Sequence, residues 1–399
     1  MSLTLDQLEF LRSEQGRSLL ETDWPDDPLA AIQRLRKKCD AGQASAVLTI
    51  RDLRCSAVGS GRFPKRLAEN ILCTDTLLQQ ASSTRLAVWK GRRICESAGG
   101  KPVLDLCSGL GADAIGIASA GCEVHLVDRS GEALLCAEHN SELMGVADRC
   151  RFVQSDVEAL DLPADAVVHV DPDRRASGRR RVDLADYVPG PAFLRSLLER
   201  TRAGVMKLSP ALPFSELEHW PGLGLEYVSE GGTCKQLLGW WGPGVRQEVV
   251  ATVVSGEHES PVGESIRRNP NSYPTIAAPG AYLIEPGPAV LAADAVDDLA
   301  ERFGLWRIEP NLVWLFGDEP PQTQLARSFR VLQQVPGREQ DIKRALRKLQ
   351  AGVVEVKPRG VRMNTDKMQM RLRGKGRRPL AVLWGRLGRS EQAFIAERV

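Results

Sequence analysis

The chain is poor in histidine and has no cysteine pair at metal-site spacing. Its five histidines show no helical or finger-type pairing, and its nine cysteines include no C-x-x-C. A structural zinc site is therefore not expected. The cysteine count is odd, and Cys107, Cys122 and Cys136 fall inside apolar stretches. Reduced, buried thiols in a cytoplasmic protein fit this better than a disulfide framework. No apolar run nears the ~20 residues that cross a bilayer. The first residues lack the basic and apolar regions of a secretory signal. Internal repeats and low-complexity tracts are absent as well. What is present is ordinary for a globular protein, with 43% hydrophobic and 26% charged residues. A chain of 399 residues is too long for one core and implies two or three domains.

Net charge is only +2, but it is unevenly spread. From Arg338 to Val399 there are 17 Lys and Arg against 6 Asp and Glu, an excess of +11, which leaves −9 for the rest. A basic segment on a near-neutral chain is a candidate nucleic-acid footprint, with solvated helix charge as the alternative.

The most informative stretch is Val103-Leu-Asp-Leu-Cys-Ser-Gly-Leu-Gly-Ala-Asp113. An apolar strand ends at Asp105, turns through Gly109 and Gly111, and opens a helix at Ala112. Glycine lets the backbone turn sharply and a ligand approach. The helix N-terminus adds free N–H groups and a positive dipole end. A carboxylate beside this turn is unwelcome to a pyrophosphate but suits a cationic ligand such as S-adenosylmethionine (SAM). A second strand, Glu123–Val127, reaches Asp128, 23 residues after Asp105, where an acid can accept ribose hydroxyls. Arg151–Val153 leads to Asp156, and Ala166–Val170 leads to Asp171-Pro172-Asp173-Arg174-Arg175. Any one of these acids could merely cap a turn. Four in succession place carboxylates along the ligand-binding edge of a parallel sheet.

This series resembles the class I SAM-dependent methyltransferases. The resemblance implies an α/β fold with a Rossmann-like seven-stranded sheet over residues 75–255, and SAM at the strand ends. Asp105, Cys107, Ser108, Gly109, Gly111 and Asp113 would then hold SAM with Asp128, Arg129, Asp156 and Val157. Gly204–Leu208 would be the fifth strand. Leu225–Ser229 and Glu248–Val254 would be the closing antiparallel pair. Residues 1–74 read as a helical region, with stripes Leu5-x-x-Leu8-x-x-Leu11 and Leu29-x-x-Ile32-x-x-Leu35. Residues 256–279, rich in Gly, Pro, Ser and Asn, read as a linker. Residues 280–399 alternate short strands and helices, with helices expected at Pro288–Phe303, Arg338–Leu349 and Asn364–Leu372. This small α+β domain resembles the THUMP-like domain that follows such methyltransferases in bacterial proteins.

In amino-methylating relatives an Asn/Asp-Pro-Pro-aromatic turn after strand four grips the exocyclic amine. Asp171 and Pro172 match its first half, and with Asp173 they are the expected catalytic residues. The chain departs at Asp173 and Arg174, where Pro and an aromatic would stand. Arg174 and Arg175, with Arg179–Arg181, would meet acceptor phosphates. Gln80 and Ser82 could face the acceptor, with helix capping by Ser82 or Ser83 as the alternative. The leading expectation is methylation of a base nitrogen of ribosomal or transfer RNA. A small-molecule or protein acceptor, or a non-catalytic paralogue that binds SAM and RNA, are the alternatives. The expected partner is RNA, with no membrane.

Overall fold

A computed structural model describes residues 3–174 and 182–399. Five helices come first: α1 (Leu5–Arg12), α2 (Glu14–Glu21), α3 (Pro28–Leu35), α4 (Ala41–Ser60) and α5 (Lys65–Asn70). Thr4 and Asp40 start α1 and α4 with reciprocal caps completed by Gln7 and Gln43. Leu8, Leu11, Ala31 and Leu35 are buried as their spacing implies, but Leu29 is 71% exposed. The buried face of α3 centres on Ala31 and Leu35, and Leu29 lies two residues, or about 200°, away from Ala31 around the helix. The basic stretch Arg51–Arg66 runs from the second half of α4 into the start of α5. These helices share a core with Leu78, Leu110 and Cys136 from the sequence that follows.

Next come α6 (Asp75–Gln80), α7 (Thr84–Ala98), β1 (Val103–Leu106), α8 (Ala112–Ser119), β2 (Val124–Asp128), α9 (Gly131–Met144), β3 (Cys150–Gln154) and β4 (Val167–Val170). A short ribbon pairs β5 (Asp173–Arg174) with β6 (Tyr187–Val188). The strands β7 (Ala203–Leu208), β8 (Gly224–Glu230), β9 (Thr233–Trp241), β10 (Val249–Gly256) and β11 (Pro261–Arg267) follow. Among the described residues they form a nine-stranded sheet in the order β11-β10-β8-β9-β7-β4-β1-β2-β3. Strands β3, β2, β1, β4 and β7 are parallel neighbours, and β9 runs antiparallel to β7. The chain winds outward in both directions from β1 and β4, so the crevice between their C-terminal ends is the ligand edge of the sheet.

The seven expected strands are therefore present, with two more: β9 between β7 and β8, and β11 at the edge. The pairing differs in one respect: Gly231–Gln236, which reads from sequence only as the turn and start between Leu225–Ser229 and Glu248–Val254, opens β9, which enters beside β7 and leaves Glu248–Val254 further out. Packing accounts for this. Six of the nine residues of β9, Gln236–Trp241, are buried, so the strand needs cover on both faces. Gly204 leaves room for the Trp241 ring, which a Cβ there would approach to 2.3 Å. The Trp241 indole N–H then donates to Thr201 Oγ1 at 3.0 Å.

The chain divides into two compact units. One comprises Met1–Glu226, Lys235–Glu248 and Val254–Gly263; the other comprises Tyr227–Cys234, Val249–Val253 and Glu264–Val399. The second holds a six-stranded sheet of β12 (Tyr282–Pro286), β13 (Leu315–Gly317), β14 (Ala326–Pro336), β15 (Ala351–Arg359), β16 (Arg378–Leu387) and β17 (Ser390–Arg398), ordered β13-β12-β14-β17-β16-β15. Alternate residues of β16 face two cores. Leu380, Val382 and Trp384 pack with Ile342 and Leu346, while Ala381 and Leu383 pack with Phe316 and Phe329. The single helix expected at Pro288–Phe303 is two, Pro288–Ala292 and Val296–Phe303. They are separated at Asp294, whose φ of 54° is left-handed. Asn364 caps Thr365–Leu372 as read, accepting from the Lys367 amide at 2.9 Å. In Arg373-Gly-Lys-Gly-Arg377 the Gly374 and Gly376 amides donate to Gly352 and Ala351 carbonyls at 2.9 Å, and the three cations are exposed.

Helices α7 and α8 meet backbone to backbone. A Cβ on Gly91 would stand 2.5 Å from the Gly116 carbonyl oxygen, and one on Gly116 would stand 2.3 Å from the Ala87 carbonyl carbon. Neither obstacle is a movable side chain. Gly116→Ala is expected to destabilise the protein by about 1–3 kcal/mol, as overpacking does. A urea midpoint equal to that of the wild type would show that the helices can part freely.

Candidate active site

A cavity of about 690 Å³ opens at the C-terminal ends of β1, β2, β4 and β7, within the ~300–1,000 Å³ range of cofactor and ligand pockets. Its described wall carries seven carboxylates, from Asp113, Asp128, Glu132, Asp156, Glu158, Asp171 and Asp173. Four cations accompany them, from Arg129, Arg174, Lys207 and Lys235. An excess of acids disfavours a pyrophosphate and suits a cationic, hydroxyl-rich ligand.

The Asp128 carboxylate joins two turns. It accepts the Gly109 N–H at 3.0 Å and the Ser130 N–H at 2.9 Å, and it lines the cavity with acceptor capacity to spare. Gly109 lines it too, in a left-handed conformation with φ of 55°. A Cβ there would meet only the Leu77 side chain, at 3.7 Å, and would otherwise project into open space, so this glycine keeps a ligand cradle clear. Gly111 works differently. It begins α8 at φ of 82°, and its Cβ would strike Ala137 at 2.9 Å, so it serves helix packing and does not reach the wall. Asp156 caps the next turn, accepting from the Glu158 amide at 2.9 Å. Val157 and Ser108 are buried beside the cavity, and Arg129 is exposed at its rim. Burial, with Asp128 and Asp171 nearby, pushes the Cys107 thiol well up, so it stays protonated.

Asp105 does not line the cavity. It is fully buried, with Oδ1 2.6 Å from His169 Nδ1, and register explains the pairing: Asp105 in β1 stands opposite His169 in β4. Burial raises the Asp105 pKa, against the attraction of His169. Its neighbour Asp113 is the centre of the site. One oxygen lies 2.9 Å from Lys90 Nζ. The other accepts from Ser82 Oγ at 2.8 Å and stands 3.9 Å from Lys207 Nζ and 3.8 Å from His169 Nε2. Gln236 in turn donates to Ser82 Oγ at 2.9 Å. Burial alone would raise the Asp113 pKa, but Lys90, His169 and Lys207 outweigh it and hold the carboxyl below its ordinary range. Ser82 is thus a buried network member, while Ser83 is the cap of α7.

Asp171 follows β4, its amide donating to the Leu106 carbonyl at 3.1 Å. Its Oδ2 accepts from Lys207 Nζ at 2.5 Å. Asp173 Oδ1 accepts from the exposed Gln80 amide at 2.8 Å. Arg174, also exposed, is paired with Tyr187 across the β5–β6 ribbon. Tyr187 lines the cavity, and its hydroxyl accepts the Ser209 N–H at 2.9 Å. The sequence alone offered no aromatic after Asp171-Pro172, because this one arrives 13 residues past Arg174. Lys90, His169, Lys207 and Gln236 were missed as well. Each lies in a helix or strand whose local pattern signals only an element. Arg175 and Arg179–Arg181 lie outside the described residues. Among the described residues no cluster of metal-ligating side chains is found.

Comparisons with known proteins agree with this architecture. Family models match for an RNA cap guanine-N2 methyltransferase over residues 100–204, a THUMP domain-like module over 326–398 and a domain of unknown function over 4–57. Uncharacterised SAM-dependent methyltransferases of two Mycobacterium tuberculosis strains are each 32% identical over 336 residues. The alignment spans 82% of this chain and 88% of theirs. A crystal structure of a candidate methyltransferase from Porphyromonas gingivalis superposes with a TM-score of 0.75. It covers 99% of this chain and 98% of that one at 19% identity, a likeness of fold. The chain belongs to the SAM-dependent methyltransferases. It joins that catalytic domain to a C-terminal THUMP-like one.

The buried network generates a stability prediction. Lys90→Met leaves Asp113 short of its nearest cation and is expected to cost about 3–5 kcal/mol. Lys90→Met combined with Asp113→Leu should recover most of that loss. The pH dependence has a definite sign. Asp113 titrates lower when folded than unfolded, so its contribution is complete above the ordinary carboxylate pKa of about 4 and drains as pH falls below it. Urea midpoints at neutral and acid pH test both points. An acid loss undiminished in Lys90→Met would refute the pairing.

Proposed function

We propose that this SAM-dependent methyltransferase modifies an exocyclic amine of an RNA base. The observation that carries the reading is the acceptor end of the cavity, where Asp171, Pro172 and Tyr187 line one wall. Asp171 has one oxygen fastened by Lys207 and another available to accept an amine N–H. The Pro172 carbonyl would be the second acceptor. Tyr187, only 4% exposed, backs this wall with an aromatic ring beside the place a planar base would take. Its hydroxyl bond to Ser209 holds it at the wall.

The SAM end is served by the opposite group. Asp128 would take the ribose hydroxyls, Asp156 and Val157 the adenine, and the Gly109 turn the close approach of the ligand. When bound, SAM supplies a sulfonium methyl group open to in-line attack. The chain's own contribution is to align the acceptor amine, exclude water and hold both partners at near-attack distance, which is worth ~7–11 kcal/mol.

Three features support RNA as the acceptor. The 100–204 match is to a family acting on guanine N2 of an RNA cap. The 326–398 match is to a THUMP-like domain. The segment from Arg338 onward carries +11, and its Arg373, Lys375 and Arg377 are held exposed by the two glycines bound to the β15 backbone. Clustered cations of this kind meet phosphates.

Labelled SAM, offered with bulk RNA from cells lacking the gene, tests the reading. Label is expected in RNA and in a base nitrogen after nucleoside digestion. Asp171→Ala should reduce transfer by about 10²–10³-fold, the scale of losing one well-placed charge-stabilising group. SAM affinity by calorimetry should be unchanged in that variant. Asp128→Ala should weaken SAM about tenfold, near the loss of one or two hydrogen bonds, without altering the fold. Label entering protein instead of RNA would refute the RNA acceptor.

A further inference from the structure

The geometry points to Lys207 as the positioning residue that fixes the acceptor-side carboxylate and binds α6 to the acceptor turn. This rests on the reading of Asp171 as the carboxylate that meets the acceptor amine. Lys207 lies in β7, beside β4, and lines the cavity with its side chain only 13% exposed. Its ammonium has three partners at different places in the fold. Asp171 Oδ2 is 2.5 Å away, the Gln80 carbonyl oxygen 3.2 Å and Asp113 Oδ2 3.9 Å. Two of the ammonium's three donors are taken up by Asp171 and Gln80, and Asp113 adds a longer ion pair. Burial would lower the Lys207 pKa, but Asp171 and Asp113 outweigh it and hold it above the ordinary value. Lys207 is therefore a fixed cation and not a proton acceptor.

Two consequences follow from this placement. The carboxylate of Asp171 cannot rotate freely, because one oxygen is committed to Lys207; the other is left in a defined direction. Gln80 is also held twice. Its carbonyl accepts from Lys207, and its side-chain amide donates to Asp173. Helix α6, which contributes Thr76, Leu77 and Gln80 to the cavity wall, is thereby fastened to the turn that carries Asp171 and Asp173. An isolated ion pair would account for Asp171 alone. The shared use of Gln80 by Lys207 and Asp173 makes the arrangement a clamp.

A double-mutant cycle tests this, because a residue that acts through Asp171 loses its effect once Asp171 is altered. Wild type, Lys207→Met, Asp171→Asn and the double variant are assayed with labelled SAM. The acceptor is total RNA and, separately, total protein from cells lacking the gene. Lys207→Met is expected to lower kcat by about a hundredfold, the scale of an ångström-level misplacement, with SAM affinity by calorimetry unchanged. In the Asp171→Asn background the same substitution should change kcat by less than about threefold, within the usual error of additivity. Equal losses in both backgrounds would overturn the proposal, as would a loss confined to SAM affinity. Should Lys207→Met fail to fold, Lys207→Arg keeps the charge while displacing the contact atoms. It should lose about tenfold alone, a fraction of that misplacement cost, and nothing further with Asp171→Asn. Label in protein but not RNA would refute the RNA acceptor and leave the cycle to be run on the protein fraction. No transfer by the wild type to either fraction would overturn both.

Discussion

The buried Asp113 carboxylate is the constraint around which the catalytic unit is built. A charge taken out of water survives only with partners. Asp113 takes them from four elements: Lys90 from α7, Ser82 from the segment ahead of it, His169 from β4 and Lys207 from β7. Its place in the first turn of α8 adds the positive helix end. Three of these partners have a second commitment. Lys207 holds Asp171, His169 faces Asp105, and Ser82 accepts from Gln236 in β9. Charge satisfaction thus fixes the relative positions of the Gly-rich turn, the Asp171 turn and the segment before α7.

The cavity divides into two ends by the same logic. At one end Asp128 is stretched between the Gly109 and Ser130 amides, and small residues keep the space open. At the other, the β5–β6 ribbon brings Tyr187 beside Asp171 and Pro172. The chain departs from the familiar Asp-Pro-Pro-aromatic turn, and the aromatic that lines the cavity near it, Tyr187, arrives later in the chain. The local sequence after Asp171 is then free to carry Asp173 and Arg174, which Gln80 and the ribbon employ.

Much of the first unit could be read directly. Ser83 as a cap, the Gly109–Gly111 turn, and the order of strands ending in acids all follow from local rules. The second unit was harder. β14, Ala326–Pro336, has a polar, exposed face that dilutes its alternation, and β17 begins and ends in charged residues. β9 reads from sequence only as a turn and start at Gly231–Gln236; the room left by Gly204 explains its place beside β7.

What the sequence by itself determined is the succession of βα units and the row of carboxylates at their ends, because turns, caps and alternation act over a few residues. Which of those carboxylates line the cavity was decided by tertiary structure. Asp105 and Asp128 look alike as strand-terminal acids, yet register places His169 against the first and leaves the second at the cavity wall. Lys90, Lys207 and Tyr187 carry no local signature at all. Their roles come from side chains far apart in the chain that meet because buried charges must be paired and a strand has only one register that buries its apolar face.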